Sequence, residues 1–365
     1  MSRIGPPSEF RLKTGIARLL APGAAQPRPT PYSDKLHLLA WRDAKGFEHP
    51  VTTQSEWQKR RADILANMQS VMGPLPGASR KVPLDVRVIE EARLDRFTRR
   101  KITFASEAGD RVPAWLLLPH DLSARAPAVL CLHQTTPIGK DELVGLGGRT
   151  NRHFAPELAE RGFVVLAPDY PNFGEYRFDA YARGYASATM KGLWNHRRAV
   201  DVLESLPQVD RERIGVLGHS LGGHNALFAA AFDPRLKAVV SSCGFNSFFK
   251  YRRGDLTGWS HAGYMPRIAS AFGKDPKQMP FDFTEVLAAL APRPVFINAP
   301  MRDDNFEVSG VRDCIVAATP VYRLWQAERN LVAQHPDCEH DFPVDVRAEA
   351  YAWLDRQLKR NRGLP

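Results

Sequence analysis

The stretch Ile214-Gly215-Val216-Leu217-Gly218-His219-Ser220-Leu221-Gly222-Gly223-His224-Asn225-Ala226 decides the fold. It opens as a β-branched, apolar run and passes into Ala226-Leu227-Phe228-Ala229-Ala230-Ala231, which suits a helix. Between them lies Gly218-His219-Ser220-Leu221-Gly222, a G-x-S-x-G pentapeptide. So sharp a turn from strand to helix strains its central residue, and the flanking glycines let neighbouring backbone come close. The turn is expected to lift the Ser220 hydroxyl above a sheet. It also sets the Leu221 N–H at a helix N-terminus, where an anion is stabilised. Five residues alone would also fit an idle serine in a tight turn. The flanks argue against that: Asp210 to Arg213 is a polar lead-in, Ile214 to Leu217 a buried-strand run, and an apolar helix follows.

Working outward, the pattern repeats. Continuous apolar runs at Ala128 to Leu132, Phe163 to Ala167, Leu236 to Ser241 and Pro294 to Ala299 read as strands covered on both faces. Helical stretches over about 151–161, 187–206, 311–329 and 346–359 alternate with them, and Leu331-Val332-Ala333 is a short strand. Earlier, Val86 to Ile89, Lys101 to Phe104 and Val112 to Leu118 are strand candidates, with Gly109-Asp110 as a hairpin turn. Gly139 to Gly148 reads as a loop, and residues 54–71 as a helix stopped by Gly73-Pro74. The prolines of residues 1–34 predict an extended arm. This order predicts a parallel, doubly wound sheet whose ligands bind beyond the carboxyl ends of the strands.

The sequence resembles the α/β-hydrolase superfamily over roughly residues 100–358, and within it the dienelactone-hydrolase and acetyl-xylan-esterase-like group. The resemblance implies a mostly parallel sheet with antiparallel N-terminal strands and a helical excursion between strands 6 and 7 of that fold. Residues 1–80 would form an arm and helix, and residues 81–365 the catalytic domain, with the excursion at about 244–292. That excursion is rich in aromatics and carries Arg252, Arg253 and Arg267. It reads as a cap near the pocket, against the plainer reading of a helical insertion packed by its own rings.

The resemblance also implies a triad. Ser220 would be the nucleophile. The acid would lie just past the strand ending at Ala299: Asp303 with Phe306 fits an Asp-x-x-apolar spacing, and Asp304 is the close rival. The base would lie on the loop before the last helix, where His340 in Cys338-Glu339-His340-Asp341-Phe342 matches and His335 precedes Pro336 too near the strand. The order Ser220, Asp303, His340 is that of the superfamily. The backbone N–H groups of Leu221 and Gln134 would form the oxyanion hole. Gln134 stands where the superfamily usually has glycine after histidine, a departure that bears on the loop geometry; His133 is expected to be structural, hydrogen-bonded under the loop, rather than catalytic.

Such a set supports ester cleavage through an acyl-enzyme, with neither cofactor nor metal required. A prolyl-oligopeptidase-like peptidase is the rival reading. It is disfavoured because roughly 100 residues ahead of the core cannot form a large propeller. A non-catalytic binding protein on the same fold would have no need for all three residues. The net charge is +10, but the basic residues are scattered and no nucleic-acid motif is present. The four cysteines form no C-x-x-C pair, which argues against zinc and suits a reducing compartment. No secretory leader and no run of about 20 apolar residues is visible. The expectation is a cytoplasmic enzyme acting on a small-molecule ester, with no nucleic-acid or membrane partner; the arm makes a homodimer plausible.

Overall fold

A computed structural model of the protein describes residues 31–122 and 124–359. Of the arm predicted over residues 1–34, residues 1–30 lie outside them. The first elements are a small hairpin, β1 (Ala40–Arg42) and β2 (Glu48–Pro50), which sequence reading passed over. Helix α1 (Gln54–Met72) follows. A reciprocal Thr53–Glu56 capping box starts it, and Gly73 ends it at a positive φ of 94°. Its face of Trp57, Ile64, Met68 and Val71 is buried in the main core, so α1 packs as part of the sheet assembly.

Three strands then run antiparallel: β3 (Arg87–Arg93), β4 (Phe97–Glu107) and β5 (Asp110–Pro119). The alternating units are β6 (Ala126–Leu132), α2 (Lys140–Leu143), α3 (Phe154–Glu160), β7 (Val164–Pro168), α4 (Ala188–Ser205), β8 (Val209–His219), α5 (Leu221–Phe232) and β9 (Leu236–Ser242). The chain continues through α6 (Arg267–Ser270), α7 (Phe283–Ala288), β10 (Val295–Asn298), α8 (Val308–Leu324), β11 (Leu331–Gln334) and α9 (Val344–Leu358). The nine strands of the large sheet are ordered β11-β10-β9-β8-β6-β7-β5-β4-β3. From β7 to β11 every pairing is parallel, whereas β5 meets β7 antiparallel. This is the predicted architecture: a mostly parallel sheet with antiparallel N-terminal strands.

Side-chain alternation along the central strands builds two cores. On β6, Leu130 faces the layer of α1, α4, α5, α7 and α8, while Val129 and Cys131 face the layer of α3 and α9. On β8, Val216 and Leu217 divide in the same way. Both faces are covered, which is why these strands read as unbroken apolar runs.

Three boundaries differ from expectation. Asp210 to Arg213, expected as a lead-in, already belongs to β8, because its backbone continues the strand where polar side chains reach the rim. The Gly139 to Gly148 stretch contains the short helix α2. Helix α8 ends at Leu324, five residues early, where Gln326 takes a positive φ of 55°. The excursion over 244–292 holds short helical turns, as expected, together with α6 and α7.

Candidate active site

Ser220 stands between the end of β8 and the start of α5 with φ 54° and ψ −116°. A non-glycine residue rarely adopts this region, and its cost is borne by the surrounding packing. The glycines explain how. A Cβ on Gly218 would stand 2.1 Å from the Gly222 carbonyl oxygen, and one on Gly222 would stand 1.9 Å from that of Leu132. Ser220 is tied down by its own N–H, which donates to the Ser242 carbonyl at 2.8 Å. Among the described residues its hydroxyl has no hydrogen-bond partner and faces a cavity.

Asp303 and His340 meet. The His340 Nδ1–H donates to Asp303 Oδ2 at 2.8 Å. The other carboxylate oxygen, Oδ1, accepts the N–H groups of Asn305 and Phe306, both at 2.9 Å. Asp303 is buried with a side chain 1 % exposed, whereas Asp304 points to solvent. His335 lies apart, with Nδ1 bonded to the Ala299 carbonyl at 2.8 Å. With Nδ1 committed to Asp303, His340 offers Nε2 as its base.

Ser220 and His340 are not hydrogen-bonded. The His340 ring instead packs on that of His219, the residue before Ser220, with centroids 5.0 Å apart, and on Phe306 at 5.8 Å. Unliganded sites often hold such contacts loosely until substrate arrives. The loop carrying His340 is firmly held from behind. Arg152 donates to the His340 carbonyl at 3.1 Å, and Asn298 Nδ2 donates to the Asp341 carbonyl at 2.8 Å. Sequence reading missed both residues, since neither falls in a motif.

His133 plays the structural part expected of it. Its Nε2 accepts the Tyr170 N–H at 2.9 Å, so Nδ1 carries the proton and donates to the Gln134 carbonyl at 2.7 Å. Burial pushes its pKa down, in keeping with a neutral ring. The Gln134 side chain bonds to the Glu142 carboxylate, which also accepts the Arg149 N–H at 2.8 Å. These bonds shape the loop after β6. Among the described residues the Gln134 N–H has no backbone acceptor, and Leu221, first in its helix, has no intrahelical one.

The cavity beside Ser220 measures about 240 Å³. Thr135, Leu221 and Asn305 line it, and half of its lining residues come from the excursion: Tyr251, Arg252, Gly258, Trp259, His261 and Tyr264. Tyr264 is pinned to the loop after β6 through Thr135 at 3.1 Å, and Tyr170 OH donates to the Gly263 carbonyl at 3.1 Å. His224 underlies Trp259 with ring centroids 4.8 Å apart, and burial pushes its pKa down to about 3.

Cys243, Asp303 and His340 offer ligand atoms within 4.8 Å of one another. Burial, then the Asp303 charge, pushes the Cys243 thiol up, which disfavours the thiolate a metal would need. The thiol instead donates to the Asp341 carbonyl at 3.2 Å.

Comparison with known proteins agrees with this fold. A solved glucuronoyl esterase from Teredinibacter turnerae superposes with a TM-score of 0.68 at 18% identity, covering 90% of each chain. The chain has the α/β-hydrolase fold. A glucuronoyl esterase from Solibacter usitatus gives 0.66 at 20% identity, covering 88% of this chain and 97% of that chain. The family model for fungal glucuronyl esterase matches residues 172–325, a span that includes Ser220 and Asp303 and stops before His340. A putative hydrolase, YtaP, from Bacillus subtilis is 25% identical over 312 residues, covering 82% of this chain and all of its own. A 4-O-methyl-glucuronoyl methylesterase from Hypocrea jecorina is 27% identical over 204 residues, 50% of this chain and 43% of that enzyme. These likenesses support carboxylic-ester hydrolysis by a serine esterase.

Proposed function

We propose that this hydrolase cleaves carboxylic esters with Ser220 as nucleophile, His340 as general base and Asp303 as the acid that orients it. One observation carries the reading. Ser220 occupies a strained elbow at the head of a cavity, and the hydrogen-bonded Asp303–His340 pair stands against the adjoining residue. A binding protein has no use for a serine held at such cost beside an oriented imidazole.

In the reaction the Ser220 oxygen attacks the ester carbonyl and its proton passes to His340 Nε2. The Leu221 and Gln134 N–H groups bind the oxyanion. Collapse breaks the ester C–O bond, His340 gives its proton to the leaving alcohol, and water repeats the steps on the acyl-serine. Substrate binding brings His340 within hydrogen-bond reach of Ser220. The aromatic walls and the names of the relatives extend the reading to esters on carbohydrates or sugar acids. Wild-type protein is expected to turn over p-nitrophenyl acetate and to be labelled by a fluorophosphonate probe. Ser220→Ala is expected to lose both while keeping its fold. Equal turnover by the folded variant would sink the assignment.

A further inference from the structure

The cavity at Ser220 contains one permanent charge. Among the described residues that line it, Arg252 is the one with a permanent charge, and none is a carboxylate. The two histidines there, His224 and His261, are both pushed down by burial and stay neutral. Arg252 is exposed at the cavity mouth and forms no ion pair among the described residues. Its guanidinium donates to Asn305 Oδ1 at 3.3 Å. Asp255 is near enough to feel its charge without pairing with it. Lys250, two residues earlier, shows the contrast: it is paired with Asp313 at 2.7 Å.

The backbone adds a second observation. Arg252 has φ 44° and ψ 42°, and Arg253 has φ 59° and ψ 32°. Two successive non-glycine residues in the left-handed region are energetically costly. The strain turns the chain so that Arg252 lines the cavity while Arg253 does not. An unneutralised guanidinium held there by a strained turn is a ready partner for a planar anion.

Taking the esterase reading as its basis, we propose that Arg252 determines specificity by binding a carboxylate on the substrate, so that the preferred substrates are esters that also carry a free acid. The neutral remainder of the wall would hold the uncharged part of the molecule. A guanidinium at the mouth also places the acid at the outer end, away from the scissile bond near Ser220.

The test uses two acetate esters of similar shape, each with one scissile ester bond, one anionic and one neutral: 4-acetoxybenzoate and 4-acetoxybenzamide. Each is assayed as substrate and as competitor of p-nitrophenyl acetate turnover. Arg252→Asn removes the charge while keeping a residue that tolerates left-handed backbone, and Arg252→Lys retains the charge. Relative to wild type, Arg252→Asn is expected to lower kcat/KM, or raise the inhibition constant, about three- to tenfold for the anionic ester. The neutral ester should change less than about twofold, and Arg252→Lys should fall between. Raising the ionic strength should erode the wild-type preference and leave that of Arg252→Asn unchanged. An anionic-to-neutral ratio equal in wild type and Arg252→Asn overturns the proposal, as does failure of the anionic ester either to react or to compete. Both outcomes are read with p-nitrophenyl acetate turnover and probe labelling intact. If those too are absent in wild type, the esterase reading itself has failed.

Discussion

Asp303 and His340, 37 residues apart in sequence, share a hydrogen bond of 2.8 Å, and two backbone N–H groups hold the carboxylate from the other side. That arrangement distinguishes Asp303 from Asp304, which is exposed. Asp303→Asn should disturb the imidazole tautomer and lower kcat about a thousandfold or more. Asp304→Asn should stay within about twofold of wild type. Steady-state kinetics on p-nitrophenyl acetate check both, and the reverse order would move the acid to Asp304.

Gly222 cannot carry a side chain, because its Cβ would stand 1.9 Å from the Leu132 carbonyl oxygen. Gly222→Ala must push α5 away from the end of β6. The expected result is a loss of about 2–4 kcal/mol and of most probe labelling. A thermal melt lowered by about 5 °C or more would match. An unchanged melt with full labelling would show that the backbone there can yield.

Acid should weaken the fold as pH falls below the ordinary histidine range. His196 and His224 are fully buried, and desolvation pushes each down to about 3. Below the ordinary histidine value near 6.5 the unfolded chain takes up these protons and the folded chain does not. Stability therefore falls as pH drops, by about 1.4 kcal/mol per histidine per pH unit. Asp282, raised by burial to about 6, works the other way between pH 6 and 4 and offsets one of the two. Urea unfolding from pH 7 to 4.5 should show the net loss, and His224→Gln should flatten it. A stability that rises on acidification would contradict the neutral buried rings.

Glu285 is buried in α7 and joins distant segments. It pairs with Arg60 of α1 at 2.6 Å and with Lys35 at 3.1 Å, and it caps its own helix by accepting the Asp282 N–H at 3.0 Å. Glu285→Ala would leave two buried cations without their partner, at a cost of about 3–5 kcal/mol. Chemical denaturation measures it. A loss below about 1 kcal/mol would mean that water reaches the vacated site.

Much of this was legible from the chain alone. The strands covered on both faces announced themselves as apolar runs, because alternate residues such as Val216 and Leu217 enter different cores. The elbow was legible because a G-x-S-x-G turn needs glycine where backbones touch. Less legible was the hairpin of β1 and β2, whose residues are half-buried or exposed and carry no clear period. The supports of the His340 loop, Arg152 and Asn298, were also invisible, since each acts over more than 40 residues of sequence.

Sequence by itself determined the order of strands and helices, the turn at Ser220 and the chemical types placed after the strand ends. It could do so because local backbone preference and burial period are properties of neighbouring residues. Tertiary structure alone decided that Asp303 rather than Asp304 meets His340, that the imidazole rests on His219, and that Arg252 stands at the cavity mouth without an ion-pair partner among the described residues. Those are relations between side chains brought together across the sheet, and the distances that govern a hydrogen bond or a charge exist only once the chain has closed.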